Sequence, residues 1–229
     1  MRLDELVSGF PLLWHMAEDG SWPSIRTAGL LSTSALLDRY GVAGAERDAI
    51  EERRRGRSVT ISRPGLPDAV IRDQKPMSDD ALRKCLEPGI EPADWYRILN
   101  AHTFFWLSRT RLRRLLAARA YRRHAQTVLT LDTASLLAAH GDRVSLSPIN
   151  SGSTLYVPRP RGRDTFLPIA DYPFDLWRSK RPVADAVVEL VVRDGVPDAA
   201  EHVIAVHRIL EERATELWRR PGSDPDIGP

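Results

Sequence analysis

"VADAVVELVVRDGVPD", residues 183–198, decides how the rest of the chain is read. Val187, Val188, Leu190, Val191 and Val192 surround a single carboxylate, Glu189. Such an apolar, β-branched run predicts a strand buried on both faces. Alternation then puts Val187, Glu189 and Val191 on one face, and Val188, Leu190 and Val192 on the other. Burying a lone carboxylate costs roughly several kcal/mol unless something pairs with it. Either Glu189 sits at a sheet edge, or it points into a cleft that uses its charge.

Two more apolar strands each carry one polar residue. "FPLLWHMAE" (10–18) predicts a strand interrupted by His15, with Trp14 beside it. "TFFWLS" (103–108) predicts another, and Arg109 follows directly. Taken singly, a core histidine, a salt-bridging arginine and an edge glutamate explain them. Taken as a set, they place a His, an Arg and a Glu on three separate strands.

Working outward, short helices are predicted at 3–8, 21–29, 33–41, 43–57, 78–87, 91–102 and 109–124. Further strands are predicted around "SVTIS", "DAVIRD", "QTVLTLDT", "RVSLSPIN" and "STLYVP". A final helix is expected near 198–219. Helices and strands mix without a regular βαβ rhythm, which predicts an α+β fold. Residues 1–220 read as one domain with a helical and strand insertion at about 43–100. The Pro/Gly-rich end, 221–229, reads as a flexible tail.

The chain has 229 residues, 42% hydrophobic and 28% charged, which is ordinary for a globular protein. No apolar run approaches the ~18–20 residues of a membrane helix, and the first residues do not form a signal peptide. Cys85 is the only cysteine, so no internal disulfide can form and a cytoplasmic location is expected. His202 and His207 are spaced poorly for a shared ion and lack cysteine partners, so no metal is expected. Neither a GxGxxG nor a GxxxxGK[ST] stretch occurs. Net charge is only +2, but residues 109–123 hold seven arginines and no acid. Guanidinium groups bind phosphates bidentately, so this run is either a solvated helix face or a contact for a phosphate-bearing partner.

Four stretches in order, "LWHMAEDGSWPSIRTAGLLS", "FFWLSRTRL", "SPINSGSTLY" and "VVELVVRDGVPD", resemble the ADP-ribosyltransferase superfamily, most closely its DarT-type nucleic-acid ADP-ribosyltransferases. They cover roughly a quarter of the chain. Residues 43–100 match nothing in that pattern. The resemblance implies a split β-sheet core with flanking helices, and NAD as co-substrate without a metal. It implies that Glu189 and Arg109 are catalytic. Glu189 would hydrogen-bond a ribose hydroxyl and stabilise an oxocarbenium-like transition state. His15, Arg109, Asn150 and Tyr156 would hold NAD. A toxin or defence role, with a neutralising antitoxin as partner, is also implied.

For the acceptor, basic and aromatic residues interleave in the arginine run and in residues 159–181. Arg111, Arg161, Trp177 and Arg178 are the expected contacts to a single-stranded nucleic acid, DNA favoured. The alternatives are transfer to a protein or small molecule, a non-catalytic binding module, or a phosphotransferase reaction on the same fold. The transferase reading predicts that His15, Arg109 and Glu189 meet in one cleft.

Overall fold

The computed structural model describes residues 1–155 and 158–229. In chain order the elements are α1 (Leu3–Gly9), β1 (Leu12–Glu18), α2 (Trp22–Ala28), β2 (Leu30–Leu31), α3 (Thr33–Tyr40), α4 (Gly44–Glu51), β3 (Val59–Ile61), β4 (Ala69–Ile71), α5 (Asp79–Arg83) and α6 (Pro92–Asn100). There follow β5 (His102–Trp106), α7 (Arg109–Leu116), β6 (Gln126–Asp132), α8 (Thr133–His140), β7 (Val144–Ser147), β8 (Leu167–Pro168), α9 (Phe174–Arg178) and α10 (Val183–Ala186). The chain ends with β9 (Glu189–Arg193), β10 (Gly195–Val196), α11 (Ala199–His202), β11 (Val203–Leu210) and β12 (Arg213–Arg219).

The expected α+β class is found. Eight strands form an antiparallel sheet in the order β12-β11-β6-β1-β5-β9-β7-β8, with helices around it. Its middle seam is thin. β1 is in register with β6 from Leu12↔Asp132 to Glu18↔Gln126. With β5 it shares one registered pair, Trp14↔Trp106. The sheet is therefore two four-stranded halves joined at a point. Where the strands diverge, His15 Nδ1 bridges to the Phe104 carbonyl at 2.8 Å.

One face of the sheet carries the main core. Leu13, Leu129, Leu131, Phe105, Leu190 and Val192 pack there against Leu6 of α1, Trp22 and Ile25 of α2, and Leu136 of α8. The opposite face packs Trp14, Met16 and Val128 against Leu112 of α7 and Tyr121. Residues 43–100, with α3, build two satellite cores. One joins α3, α4, β3 and β4 through Leu37, Ile50, Ile61 and Ile71. The other joins α5 and α6 through Leu82, Trp95, Tyr96 and Leu99.

β2 and β10 form a separate two-stranded ladder that brings the turn after β9 against the end of α2. Glycine is required at this crossing. A Cβ on Gly29 would lie 2.6 Å from Pro197 backbone, and one on Gly195 would lie 2.5 Å from the Leu30 carbonyl oxygen. Both have positive φ, 88° and 94°, which side chains rarely adopt.

The final helix expected near 198–219 is not formed. Only Ala199–His202 is helical, and an antiparallel hairpin follows. "VIAVHRIL" is β-branched and buried almost throughout, as a central strand should be. "RATELWR" is an exposed edge strand, so its helix-favouring Ala, Glu and Leu report no helical face. The last residues return onto the sheet. Trp14 Nε1 donates to the Gly228 carbonyl at 3.3 Å, and Arg219 donates to the carbonyls of Asp224 and Ile227. Among the described residues no helix is long and apolar enough to cross a membrane.

Candidate active site

Glu189 opens β9, opposite Trp106 on β5 and Ser147 on β7. The strand begins two residues later than the apolar run, so Val187 belongs to the main core with Leu190 and Val192 rather than to the face of Glu189. Glu189 is not at an edge, because β5 and β7 flank it, and it is only 4% exposed. Its Oε2 accepts from the Ser151 hydroxyl at 2.7 Å and the Ser151 amide at 3.1 Å. Among the described residues nothing donates to Oε1. Burial pushes the carboxyl up to about 7, against the pull of those two bonds and of Arg161 and Arg111.

A cavity of about 300 Å³ lies beside the seam and is lined by His15, Asn150, Gly152 and Glu189. His15 is donor at Nδ1, because its partner there is a carbonyl oxygen that can only accept. Nε2 is left as an acceptor. Burial lowers this imidazole to about 4, so it is neutral at physiological pH. The cavity therefore holds a neutral hydrogen-bond acceptor on one half-sheet and a carboxyl poised near neutrality on the other.

Arg109 does not join them. It starts α7 with its guanidinium over the Trp14 ring, 5.8 Å from the centroid, and does not line the cavity. Helix α7 packs on the face opposite the main core, and this directs its first side chain to Trp14. The expected meeting of His15, Arg109 and Glu189 in one cleft is therefore not found: His15 and Glu189 line the cavity, together with Asn150, and Arg109 does not. Tyr156 lies outside the described residues.

Arg55 and Arg72 both line the cavity, and Arg72, which follows β4, is the one whose charge acts on His15. Its NH1 donates to the Met16 carbonyl at 3.1 Å and to Gln126 Oε1 at 2.8 Å, and the group stacks 5.2 Å from the Tyr121 centroid. Arg55 supports it from behind, donating from Nε to the Arg72 carbonyl at 3.0 Å and from NH2 to Asn100 Oδ1 at 3.0 Å. Burial lowers Arg55 to about 10. The segment 69–76 is thus a wall of the site. In the sequence, the alternation of "AVIR" showed a strand ending in a cation, but nothing tied it to His15.

The expected nucleic-acid contacts separate. Arg161 is 2% exposed and surrounded by carbonyls, so it has no face to offer a phosphate. Arg111 pairs with Asp185 at 2.7 Å. Trp177 has one ring face under Arg181, 4.2 Å from the centroid. Arg178 is exposed, pairs with Asp175 at 2.9 Å, and lines a second, open groove of about 1700 Å³ rather than the cavity. By contrast Arg114, Arg119, Arg122 and Arg123 are exposed and have no ion-pair partner among the described residues, while Arg113, also exposed, donates from NH2 to Pro229 O at 3.3 Å. They lie on and just after α7, whose Leu115, with Tyr121 beyond it, lines the cavity.

A second polar cluster joins His140, Asp198 and His202, with donor atoms within 4.8 Å of one another. Arg143 NH2 lies 2.7 Å from His140 Nδ1. Arginine can only donate, so the His140 proton is on Nε2 and goes to Asp198 at 2.5 Å. A cation there would displace that proton and set Nδ1–H against Arg143. The cluster is a hydrogen-bonded clamp between α8 and the turn before α11.

These features define an α+β protein whose two half-sheets meet over a His- and Glu-lined cavity. The chain belongs to the family described as "Family of unknown function (DUF7002)", matched over residues 11–203. No curated protein matches it.

Proposed function

We propose that the protein is a NAD-dependent ADP-ribosyltransferase. The observation that carries this is the meeting of His15 and Glu189 at one cavity, beside the seam of the sheet, with Glu189 Oε1 uncommitted. That arrangement suits cleavage of the nicotinamide–ribose bond. The bonding pair leaves with nicotinamide, and positive charge develops on the sugar. An ionised Glu189 accepting from a ribose hydroxyl stabilises that charge. His15 Nε2 accepts from a second hydroxyl and orients the dinucleotide. The cavity is at the lower end of the roughly 300–1,000 Å³ of ligand sites, so part of NAD would lie across its mouth. Arg72 takes the place in holding NAD that the resemblance assigned to Arg109, as a contact to the anionic part of the dinucleotide.

The acceptor we propose is a base in single-stranded nucleic acid, DNA favoured, held by the exposed arginines on and just after α7. Incubation with labelled NAD and separate pools of single-stranded DNA, RNA and protein tests both parts. Label should pass to DNA, fall off steeply with salt, and be lost in Glu189→Ala. The double reversal Arg114→Glu with Arg119→Glu should weaken transfer but leave nicotinamide release intact. Transfer to protein alone would replace the acceptor. Absence of nicotinamide release above that of Glu189→Ala would defeat the transferase reading.

A further inference from the structure

Arg161 is one of the largest fully buried side chains, yet no carboxylate pairs with it among the described residues. A buried charge without a counter-charge is costly, so its retention needs an explanation. Its neighbours supply one. Nε faces the Ser151 carbonyl at 3.4 Å. NH2 faces the carbonyls of Asn150, at 3.3 Å, and of Ser153. NH1 faces the Arg159 carbonyl at 2.6 Å and Cys85 Sγ at 3.4 Å. The side chain thus binds three carbonyls of the turn 150–153 from within. That turn presents Ser151, whose amide and hydroxyl both hold Glu189.

The backbone of Arg161 is fixed as well. Its amide donates to the Cys85 carbonyl at 2.7 Å, and its carbonyl accepts from the Glu87 amide at 2.8 Å. The turn is therefore anchored, through one arginine, to the chain that follows α5. An oriented path runs from the guanidinium through the Asn150–Ser151 peptide to the carboxylate of Glu189. The cation polarises the Asn150 carbonyl, which strengthens the Ser151 amide of the same peptide unit as a donor toward an anion.

We propose that Arg161 is a positioning residue for Glu189: through the turn 150–153 it fixes the aim of the carboxylate and favours its ionised form. This rests on the reading that Glu189 works as a carboxylate in the cavity. The other groups facing Glu189 are accounted for. His15 faces it from β1. Arg111 faces it from α7 but is paired with Asp185 of α10. Arg181 spends NH1 on the carbonyls of Pro148 and Asp185. Ser147 and Trp106 stand opposite on β7 and β5. Near Arg161, the Glu87 carboxylate accepts from the Arg163 amide instead. Of these cations Arg161 is the one bound to the turn that holds the Glu189 carboxylate.

The test is a titration of Glu189 in protein carrying ¹³C-labelled glutamate carboxyls, with the resonance assigned by its loss in Glu189→Gln. Arg161→Gln should move the midpoint upward by about one pH unit, a tenfold loss of ionised carboxylate on the acid side. Arg161→Lys keeps a cation but cannot span three carbonyls. Its midpoint should stay near the wild-type value, while NAD turnover at high pH falls several-fold. Ser151→Ala, which removes one donor, should also raise the midpoint. An unchanged midpoint in folded Arg161→Gln would overturn the proposal. So would a rise in Arg161→Lys as large as that in Ser151→Ala, which keeps the question decidable if the Gln variant fails to fold. A protein that consumes no NAD removes the transferase reading, but the titration still decides whether Arg161 governs Glu189.

Discussion

His15 and Glu189 face one cavity from opposite halves of the split sheet, and burial acts on them in opposite charge senses. On the β1 side, burial discharges the imidazole, and one bond to a β5 carbonyl fixes its tautomer. On the β9 side, burial would hold the carboxyl neutral, but a serine turn backed by a buried arginine pulls it toward ionisation. The first wall is set for the whole neutral range. The second changes charge within it. Under the proposed function, recognition falls to the His15 wall and pH-dependent chemistry to the Glu189 wall.

The sharpest way to break this division is Glu189→Gln. It keeps the shape and can still accept from Ser151, but cannot ionise. Nicotinamide release should fall by roughly 10²–10³-fold, the usual cost of one electrostatic stabiliser. In the unsubstituted protein the rate should rise with pH through about 7, as Glu189 ionises. A flat profile would show that its charge is not used.

The same substitution should act in the other direction on stability. Glu189 ionises near 4.5 when unfolded and near 7 when folded. Between these values the unfolded chain has released a proton that the folded chain retains, so stability falls as pH climbs through that window and levels off above it. Glu189→Gln removes the penalty. At pH 8 it should be more stable in urea denaturation by up to roughly 3 kcal/mol, and the gain should vanish below about pH 4.5. A substitution that destabilises equally at both pH values would mean the carboxylate is structural.

Much of this was legible in the sequence. The apolar settings of His15 and Glu189 marked both residues because a polar group in a buried strand must be held by something, and chain order suggested their meeting. Arg72 and Arg161 were not legible in these roles. Their partners are almost all backbone carbonyls and distant side chains, which carry no local pattern. Arg161, expected as a nucleic-acid contact, lies inside because the chain at 85–87 pairs with it. The hairpin β11–β12 was misread because helix propensity on an exposed edge strand is uninformative.

His15→Ala should have a smaller effect than Glu189→Gln, since it removes one hydrogen bond to bound substrate and no developing charge. The KM for NAD should rise about tenfold with kcat within a few-fold, as for an unmade bond of roughly 1–1.5 kcal/mol. A fall in kcat at constant KM would place His15 in the chemical step and dissolve the distinction between the walls.

The smallest effect is expected at Arg109, and it tests where the recognition wall ends. Its guanidinium stacks on Trp14, on the face away from the main core, while Arg72 is the cation beside His15. Arg109→Ala should cost about 0.5–1 kcal/mol of stability, the value of an exposed cation–π contact, and change the KM for NAD less than about twofold. Arg72→Ala, measured beside it, should raise that KM at least as much as His15→Ala. A large KM effect at Arg109 with none at Arg72 would move the anion contact to the start of α7 and require α7 to shift toward the seam when NAD binds. The expected result leaves β4 and the segment after it, the part of the chain with no match in the resemblance, as the element that recognises the dinucleotide.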